Sequence, residues 1–529
     1  MSKLAKYLNQ HIIGNVFDRL NILDTYSTDR SILKIQPKLV ALPKTTDDIQ
    51  KLIRFSNQLA LRGLRLPVTV RGTGRDKTGA AIGDGMIIST ERLNHIEEID
   101  LRGRLIRVQP GLTLGELNTA LGMQGLCLPI DYDPRTTIGG LIANCPNDDA
   151  SARHGGIYHY VERIEVVLSS GDLAQLGPIG SHALSQKISE TSFEGKVYRR
   201  IDELLDKYAD TVIDRGMQRF SGAGYANITR VRNAHHFNLM PLFFSAQGTL
   251  GIITDIILRV EVLPPPTRRL ALTLRDTKTL LRFLNFVSDL DPRTLKVFDL
   301  RIIKETTTHG KQPDLLPREL GEGWLVLASF DDRKLKSSKK IQHCLEVLPV
   351  GTFVAEETVD NTVAFQEFDS TILSYLNDSN DGERSPIIDD VYIPRYRFEE
   401  FVEKLEMVSE TLDLKLALFG SYATSNYHVR PLVDCTSMDG RKQIISFMQQ
   451  YSQLVKDCEG SLTGGTPEGR IKALPIMQNF SEEEKKLYQE IKDAFDPHHI
   501  LNPNIKLGAE LTNTIRHLRT EPKSGIIRS

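Results

Sequence analysis

The chain has 529 residues, of which 40% are hydrophobic and 25% are charged, and its formal net charge is −2. This length predicts about two to four domains, and the composition is typical of a globular protein. The nearly balanced charge argues against nucleic acid or an anionic membrane as the main partner.

The first half of the chain alternates short apolar strands with amphipathic helices. After a polar N-terminal extension, residues 37–43 form a predicted strand and Thr45 begins a helix. Strands are predicted again at residues 68–70 and 105–111, and Thr113 begins a further helix. This alternation indicates an α/β or α+β fold.

Three consecutive prolines, Pro264 to Pro266, mark the clearest candidate for a domain boundary. Beyond them, strand-like runs alternate with amphipathic helices as far as a last helix that begins at Ser481. This pattern indicates an α+β domain with an antiparallel sheet backed by helices.

The cysteines and the N-terminus bear on the cellular compartment. Five scattered cysteines without a C-x-x-C pair argue against a zinc or iron–sulfur module and predict reduced thiols. The N-terminus has no apolar signal core, and no apolar run approaches the ~18 residues of a membrane-spanning helix. We therefore expect a cytoplasmic protein, at most peripheral to a membrane.

A glycine-rich loop, Arg71-Gly72-Thr73-Gly74, follows an apolar strand-like run. Glycines at such a turn let backbone N–H groups converge on an anion. The dinucleotide fingerprint G-x-G-x-x-G fails here because Lys77 occupies the third glycine position and a strand follows. The Walker A pattern fails as well, because no correctly spaced Gly-Lys-Ser/Thr follows. For this stretch alone, an ordinary hairpin loop stays an alternative.

Three further motifs follow this loop in order along the chain. They are Thr137-Ile138-Gly139-Gly140, Gln247-Gly248-Thr249-Leu250-Gly251-Ile252-Ile253-Thr254, and Phe495-Asp496-Pro497 with Leu501-Asn502-Pro503. The ordered set resembles the FAD-binding oxidoreductases of the vanillyl-alcohol oxidase, or PCMH, type. Within that family the chain is similar to the branch of D-lactate dehydrogenases and glycolate oxidase flavin subunits.

The resemblance implies an α+β fold with a two-subdomain FAD-binding domain and an α+β cap, or substrate, domain with an antiparallel sheet. The expected boundaries are an extension at 1–35, the FAD-binding domain at 36–265 (subdomains 36–110 and 111–265), the cap domain at 266–475, a segment returning to the flavin at 476–508, and a tail at 509–529.

The resemblance also implies which residues bind FAD. Those expected around the pyrophosphate are Gly72, Thr73, Gly74, Arg75 and Asp76. Those expected along the ADP and ribityl side are Gly139, Gly140, Asn144, Gly155 and Ile157. Those expected at the adenine region are Gly251, Ile252 and Ile253, and Asn502 is expected at the flavin ring. Further cofactor contacts are expected at Arg71, Pro110, Gly111, Thr137, Ile138 and Gly248.

Two departures from the family pattern matter for the chemistry. Relatives with covalent flavin carry a histidine in the first loop or a cysteine just before the diglycine; both are missing here, so we expect noncovalent FAD. Metal-dependent members of the branch use two histidines and a glutamate, whereas Ser421, Gly465 and Thr466 stand at such positions here. One remaining imidazole cannot supply three protein ligands, so we expect no metal site.

Asn426 and His428 are the candidate catalytic residues. They lie two residues apart on a predicted strand and so face the same way. On the resemblance, His428 is a candidate to take the substrate hydroxyl proton as hydride passes to flavin N5. A half-buried sheet histidine without catalytic part is the alternative.

Arg395 and Arg430 are candidates to bind a substrate carboxylate. The alternative is that both are ordinary surface arginines. Glu468 is a further candidate acid, although the sequence favours a solvated loop carboxylate there.

The sequence is compatible with three functions. The leading one is an FAD-dependent dehydrogenase or oxidase of CH–OH groups that acts on a hydroxy acid and passes electrons to a quinone or a carrier protein. The second is a catalytically silent FAD-binding subunit of a glycolate-oxidase-like complex, and the third is a non-redox flavoenzyme resembling alkylglycerone-phosphate synthase. A homodimer or a subunit of a complex fits any of them.

Overall fold

The computed structural model describes residues 2–217, 222–308, 315–316, 321–350, 352–368, 372, 383–384 and 386–520. The chain forms two compact units. The first comprises Met1–Pro146, Ile157–Val262 and Thr466–Leu518, and the second comprises Asn147–Gly156, Leu263–Gly465 and Arg519–Ser529.

The first unit contains two main sheets. In the four-stranded sheet the order is Asn15–Phe17, Leu39–Leu42, Met86–Ser89 and Val68–Arg71, with the last three strands parallel. In the five-stranded antiparallel sheet the order is Ile96–Asp100, Leu105–Val108, Ile252–Arg259, Val161–Val167 and Leu173–Leu176. A separate pair joins Leu126–Cys127 to Glu261–Val262.

The helices of the first unit lie mainly between and after these strands. The α-helices are Lys3–Asn9, Leu20–Thr25, Thr46–Leu61, Leu114–Gly122, Ile138–Asn144, Ser181–Ser189, Phe193–Lys207, Ala209–Met217, Ala473–Met477, Glu482–Phe495 and Leu511–Arg516. Short 3₁₀ turns occupy Ile157–His159, Ala226–Arg230 and Met240–Phe243.

The helix Thr46–Leu61 shows how the sequence forms these elements. The Thr45 hydroxyl accepts a hydrogen bond from the Asp48 backbone N–H, which caps the helix as its sequence predicts. The inward face, with Ile49, Leu52 and Ile53, packs into the core beneath the four-stranded sheet.

The chain termini contribute to this first unit. Asn15–Phe17 forms the edge strand beside Leu39–Leu42, within the stretch predicted to be an extension. Near the other end, Leu501 pairs with Val68, so a short C-terminal stretch lies along the strand that leads into the glycine loop.

The second unit is built on an antiparallel sheet. Its order is Val354–Glu356, Arg268–Leu274, Trp324–Phe330, Thr294–Asp299, Leu416–Ser421, Asn426–Val433 and Glu383–Arg384, and Asp390–Tyr392 also pairs with Asn426–Val433. Its α-helices are Ser151–His154, Thr277–Asp289, Leu300–Thr308, Lys334–Glu346, Phe398–Leu412 and Met438–Asp457, and Arg395–Arg397 forms a 3₁₀ turn. The predicted α+β class and the antiparallel sheet are therefore confirmed.

None of the five cysteines, all of which lie in the described part of the chain, forms a disulfide. Within the described ranges, no helix is both long and apolar enough to cross a bilayer.

Candidate functional site

Two adjoining cavities in the first unit collect most of the predicted cofactor residues. The predicted residues that line them are Arg71, Gly72, Thr73, Gly74, Arg75, Asp76, Pro110, Thr137, Gly139, Gly140, Asn144, Gly248, Gly251 and Ile253. Lining residues that the sequence reasoning did not single out as contacts are Val70, Ala80, Ala81, Thr90, Tyr132, Thr136, Ala143, Phe243, Ala246 and Gln247. Gln247 is the first residue of the recognised glycine motif, whereas Tyr132 and Phe243 carry no comparable local signal.

The loop after the strand Val68–Arg71 presents consecutive backbone donors. The N–H groups of Gly72, Thr73, Gly74 and Arg75 make no hydrogen bond to any described protein group. Such a run of unpaired N–H groups is suited to binding an anion, as in the backbone arrangement called a nest.

A packed side chain beneath the loop determines its backbone shape. Arg71 turns back, donates to the Thr28 carbonyl at 2.7 Å, and lies over the Tyr26 ring. Gly74 has a φ of 68°, and a Cβ atom at this position would overlap the Arg71 guanidinium. Only glycine satisfies both conditions without a shift in the surroundings.

Positive charge surrounds the mouth of this loop. Three arginines, Arg30, Arg75 and Arg135, form ion pairs with the single carboxylate of Asp133. Burial raises the pKa of Asp133, but Arg75 and the other partners outweigh it and hold that pKa below its usual range. The excess of arginines favours an anionic ligand at the nest.

Two carboxylates lie behind the loop. Asp76 accepts hydrogen bonds from the backbone N–H groups of Thr78 and Ala80 at 2.9 and 2.8 Å, so its carboxylate shapes the loop. Burial and the neighbouring Asp76 carboxylate raise the pKa of Asp29 to about 6.

The helix Ile138–Asn144 forms the second wall. Its first residue is capped by Thr137, whose hydroxyl accepts from the Gly140 backbone N–H at 3.2 Å. Gly139 donates its N–H to the Pro110 carbonyl at 2.8 Å, so the diglycine packs against that proline. A Cβ atom at Gly72 would overlap the Thr137 hydroxyl, so the loop can approach the helix this closely because residue 72 is a glycine.

The turn around Gln247 forms the third wall. Its side-chain amide donates to Asn144 Oδ1 at 3.0 Å and to Thr78 Oγ1 at 3.1 Å, and so connects the three walls. Gly248 follows with a φ of 71° and packs on Val70.

Asn502 connects the C-terminal segment to two of these walls. Its side-chain amide donates to the carbonyls of Ala80 and Gln247 at 2.9 and 2.8 Å, and its oxygen accepts from the Thr69 hydroxyl at 3.0 Å. The buried side chain therefore braces the walls, and the predicted contact with a flavin ring stays a prediction.

The remaining predicted cofactor residues lie outside the two cavities. Gly111 donates to the Leu93 carbonyl, and Ile138, Ile157 and Ile252 are buried in the core. Gly155 belongs to the second unit, where it ends the short helix Ser151–His154.

A larger cavity of about 480 Å³ lies elsewhere in the first unit, beside the C-terminal segment. Arg65, His498 and His499 are among its lining residues, and of the predicted cofactor residues it includes Asn502. We place the candidate site at the two smaller cavities, because the unpaired loop donors lie there.

The expectation of a solvated carboxylate at Glu468 is wrong. Its side chain is fully buried, accepts from the Gly224 backbone N–H, and pairs with the fully buried Lys506 at 2.6 Å. Lys506 also donates to the Gly224 carbonyl at 2.8 Å. Lys506 lies 38 residues after Glu468 in the chain, so no local sequence pattern predicted this ion pair.

In the second unit, Asn426 and His428 lie on the strand Asn426–Val433, which confirms the predicted strand. Alternation along the strand gives them one face together with Arg430. His428 Nδ1 lies 3.2 Å from Asp389 Oδ2, and the imidazole stacks on Phe419 at 4.8 Å between ring centroids. Asn426 donates its amide to the Asn147 carbonyl at 3.3 Å.

The two candidate arginines differ in their surroundings. Arg430 is 1% exposed and donates through Nε to Asp389 Oδ1 at 2.6 Å, so it is neither a surface arginine nor a free anion receptor. Arg395 is exposed; it donates to the carbonyls of Tyr422 and Ala423 at 3.2 and 2.8 Å.

The positions where metal-dependent relatives carry ligands have other surroundings here. Ser421 is buried opposite Asn426 in the antiparallel register, and a Cβ atom at Gly465 would overlap Asn426 Nδ2 and Asp390 Oδ2. Among the described side chains, no group of three or more His, Cys, Asp or Glu residues is arranged to hold a metal ion.

Two family models match this chain. The FAD binding domain matches residues 37–177, and the C-terminal domain of FAD linked oxidases matches residues 264–505.

Curated relatives include the D-2-hydroxyglutarate dehydrogenase of Pseudomonas putida, 24% identical over 90% of this chain. The chain spans about half of that enzyme, 49% of its length. The D-lactate dehydrogenase of Anaerostipes hadrus is 23% identical, with 89% of each chain covered. The glycolate oxidase subunit GlcD of Bacillus subtilis is 24% identical, with 88% of each covered.

Solved structures show the same fold. A 4-ethylphenol oxidase from Gulosibacter chungangensis superposes with a TM-score of 0.65 at 15% identity, covering 93% of this chain and 94% of that one. An alkyldihydroxyacetonephosphate synthase superposes with a TM-score of 0.61 at 15% identity, covering 92% and 82%. With its two matched domains, the chain therefore belongs to the PCMH-type FAD-binding flavoenzymes, as an FAD binding domain followed by the C-terminal domain of FAD linked oxidases.

Proposed function

We propose that this protein is an FAD-dependent dehydrogenase that oxidises the hydroxyl-bearing carbon of a 2-hydroxy acid. The observation that carries the proposal is the nest of unpaired N–H groups from Gly72 to Arg75, in a chain with FAD-binding and FAD-linked oxidase domains. Relatives named D-lactate dehydrogenase and D-2-hydroxyglutarate dehydrogenase support the substrate class.

The residues of the two cavities fit FAD. The loop from Gly72 to Arg75 offers backbone donors suited to the pyrophosphate, and the arginines around Asp133 complement its charge. When bound, FAD supplies the acceptor for the hydride of the substrate. No histidine or cysteine is among the described residues that line these cavities, which supports noncovalent binding.

His428 is the proposed general base, and Asn426 is the proposed neighbour that orients the substrate. Neutral imidazole accepts a proton near physiological pH, which suits removal of a hydroxyl proton. No step of this proposal uses a metal ion, because Ser421, Gly465 and Thr466 provide neither imidazole nor carboxylate.

Arg395 is the better of the two proposed receptors for the substrate carboxylate. Its side chain is exposed, whereas Arg430 is already engaged with Asp389 at 2.6 Å. We therefore propose that Arg430 binds Asp389 and does not contact the substrate.

A silent flavin-binding subunit is the second candidate function. The observation that favours it is the similarity to a protein named as the GlcD subunit of glycolate oxidase. We further propose that the electrons pass to a quinone or a carrier protein. We also propose that the protein is a homodimer or a subunit of a complex, and that it is cytoplasmic or peripheral to a membrane.

Anaerobic mixing of the FAD-loaded protein with D-lactate, glycolate or D-2-hydroxyglutarate tests the proposal. We expect one of them to bleach the flavin absorbance, and His428→Gln to slow the bleaching about 10²–10⁴-fold with unchanged flavin content. His235→Gln, at an exposed loop histidine, is the matched control and is expected to react like wild type. Failure of every hydroxy acid to bleach bound flavin would favour the silent subunit instead.

A further inference from the structure

The His428 imidazole is held on two sides. Phe419 stacks on the ring at 4.8 Å with an interplanar angle of 13°, and Asp389 Oδ2 lies 3.2 Å from Nδ1. Stacking fixes the plane of the ring, and the carboxylate fixes its rotation within that plane. The side chain keeps 23% of its surface exposed.

Asp389 is itself held in place by Arg430. The guanidinium donates through Nε to Oδ1 at 2.6 Å and through Nη2 to Oδ2 at 3.4 Å, and it also lies over the Phe419 ring. Only 5% of the Asp389 side chain and 1% of the Arg430 side chain are exposed. This two-point contact balances the buried charge and orients the carboxylate.

The chemistry of the acceptor determines where the imidazole proton lies. An ionised carboxylate only accepts hydrogen bonds, so Nδ1 must donate to Asp389, and in neutral imidazole Nε2 then carries the lone pair. A carboxylate behind the distal nitrogen is the arrangement by which general-base histidines are held in their active tautomer.

We propose that Asp389 is a positioning residue that holds neutral His428 in the Nδ1–H tautomer, with Nε2 directed to the substrate hydroxyl. This inference rests on the proposed function, in which His428 is the base. The hydroxyl O–H bond breaks and its proton forms a new bond to Nε2. FAD held by the loop from Gly72 to Arg75 would supply the two-electron acceptor for the hydrogen of the adjacent carbon, and the carbon–oxygen double bond forms as that carbon–hydrogen bond breaks.

The substitution Asp389→Asn reverses the tautomer in this account. Arg430 only donates, so it selects the amide oxygen of the new side chain. The amide NH₂ group then points at His428 Nδ1, which must become the acceptor, and the proton moves to Nε2. The base is then lost while the shape of the side chain is kept.

The first test reads the tautomer directly and needs no activity. Nitrogen-15 NMR of the FAD-loaded protein, labelled at histidine and held at alkaline pH, distinguishes the protonated from the lone-pair nitrogen. His428→Gln assigns the signal by its disappearance. We expect Nδ1–H in wild type and Nε2–H in Asp389→Asn. An Nε2–H tautomer in wild type, or an unchanged tautomer in the variant, would overturn the proposal.

The second test measures the chemical step with a matched control. Asp331→Asn removes another buried carboxylate of the same unit that contacts a histidine and arginines, His154 at 2.9 Å and Arg153 at 3.1 Å. We expect Asp389→Asn to slow anaerobic flavin reduction at least 10²-fold with flavin content and substrate KM nearly unchanged, and Asp331→Asn to react like wild type. An equal loss in both variants would make Asp389 merely structural. If no hydroxy acid reduces the wild type, the proposed function fails, and the NMR result still decides the positioning role.

Discussion

Lys506 and Glu468 form an ion pair at 2.6 Å in which both side chains are fully buried. Burial lowers the pKa of Lys506, and the adjacent Glu468 carboxylate opposes that shift. The Gly224 backbone satisfies both partners, with its N–H donating to Glu468 and its carbonyl accepting from Lys506. This pair fastens the C-terminal segment of the first unit to the loop that contains Gly224.

Removal of one partner of this pair is expected to be strongly destabilising. Lys506→Met leaves a buried carboxylate without its cation, so we expect the free energy of unfolding to fall by about 3–5 kcal/mol. Urea denaturation monitored by circular dichroism measures the change. Lys442→Met removes one partner of an exposed pair, with side chains 74% and 90% exposed, and is expected to change stability little. A small loss of unfolding free energy in Lys506→Met would contradict this account. So would a double variant, Lys506→Met with Glu468→Gln, whose loss of unfolding free energy equals the sum of the losses in the two single variants.

Asp29 is expected to give stability a specific pH dependence. Its pKa is raised to about 6 in the folded protein by burial and by Asp76, above an ordinary value near 3.8. The folded state therefore binds more protons than the unfolded state between these values, and stability falls as the pH rises from about 4 to about 6. The full penalty, up to about 3 kcal/mol, is present above pH 6.

Asp29→Asn tests this sign, because its amide oxygen keeps the hydrogen bonds from Ser31 and has no charge to bury. Thermal denaturation is expected to show a variant more stable than wild type at pH 8 and similar to it at pH 4. A variant that is less stable than wild type at pH 8 would contradict the assignment.

Gly74 is expected to be essential for cofactor binding for a reason separate from its φ. Gly74→Ala combines a left-handed backbone with overlap of the Arg71 guanidinium, so the loop must shift and its N–H groups separate. We expect the FAD affinity to fall at least 10-fold, measured by fluorescence titration of the apoprotein. Gly125 has the same φ of 68° and open space around it, so Gly125→Ala isolates the backbone strain. Equal FAD affinity in the two variants would exclude the overlap as the cause.

Asn502 is expected to act as a donor between the walls of the cofactor site. Asn502→Asp replaces its NH₂ group by a carboxylate that faces the carbonyls of Ala80 and Gln247. We expect a loss of about 2–4 kcal/mol in stability and a weaker FAD affinity, because buried acceptors then face each other. Asn504→Asp is the control, since Asn504 is exposed and also has a positive φ. Unchanged stability in Asn502→Asp would contradict the claim that the Asn502 amide holds these walls together.

The sequence located the glycine-rich walls because their motifs are local. Gly72, Gly74, Gly139 and Gly248 each reflect close packing or a positive φ that glycine alone permits, and such positions are visible in a single chain. The strand alternation of Asn426 and His428 was predictable for the same reason, since neighbouring residues determine it.

The contacts that determine what each polar group does were not predictable. Asp389 meets Arg430 across 41 residues, and Asn502 reaches Ala80 across 422 residues. Such pairs depend on tertiary packing. The sequence therefore favoured a surface arginine at Arg430 and a solvated carboxylate at Glu468, whereas both side chains are buried.

The rate of anaerobic flavin reduction by a hydroxy acid, with hydrogen or deuterium on its hydroxyl-bearing carbon, tests the central claim most directly. The FAD-loaded protein is mixed with D-lactate, glycolate and D-2-hydroxyglutarate, and the visible flavin absorbance is followed. We expect one of these acids to bleach the flavin, and its deuterated form to do so several-fold more slowly, because the carbon–hydrogen bond breaks in that step. Bound flavin that none of the acids bleaches would contradict the claim that this protein is a hydroxy-acid dehydrogenase.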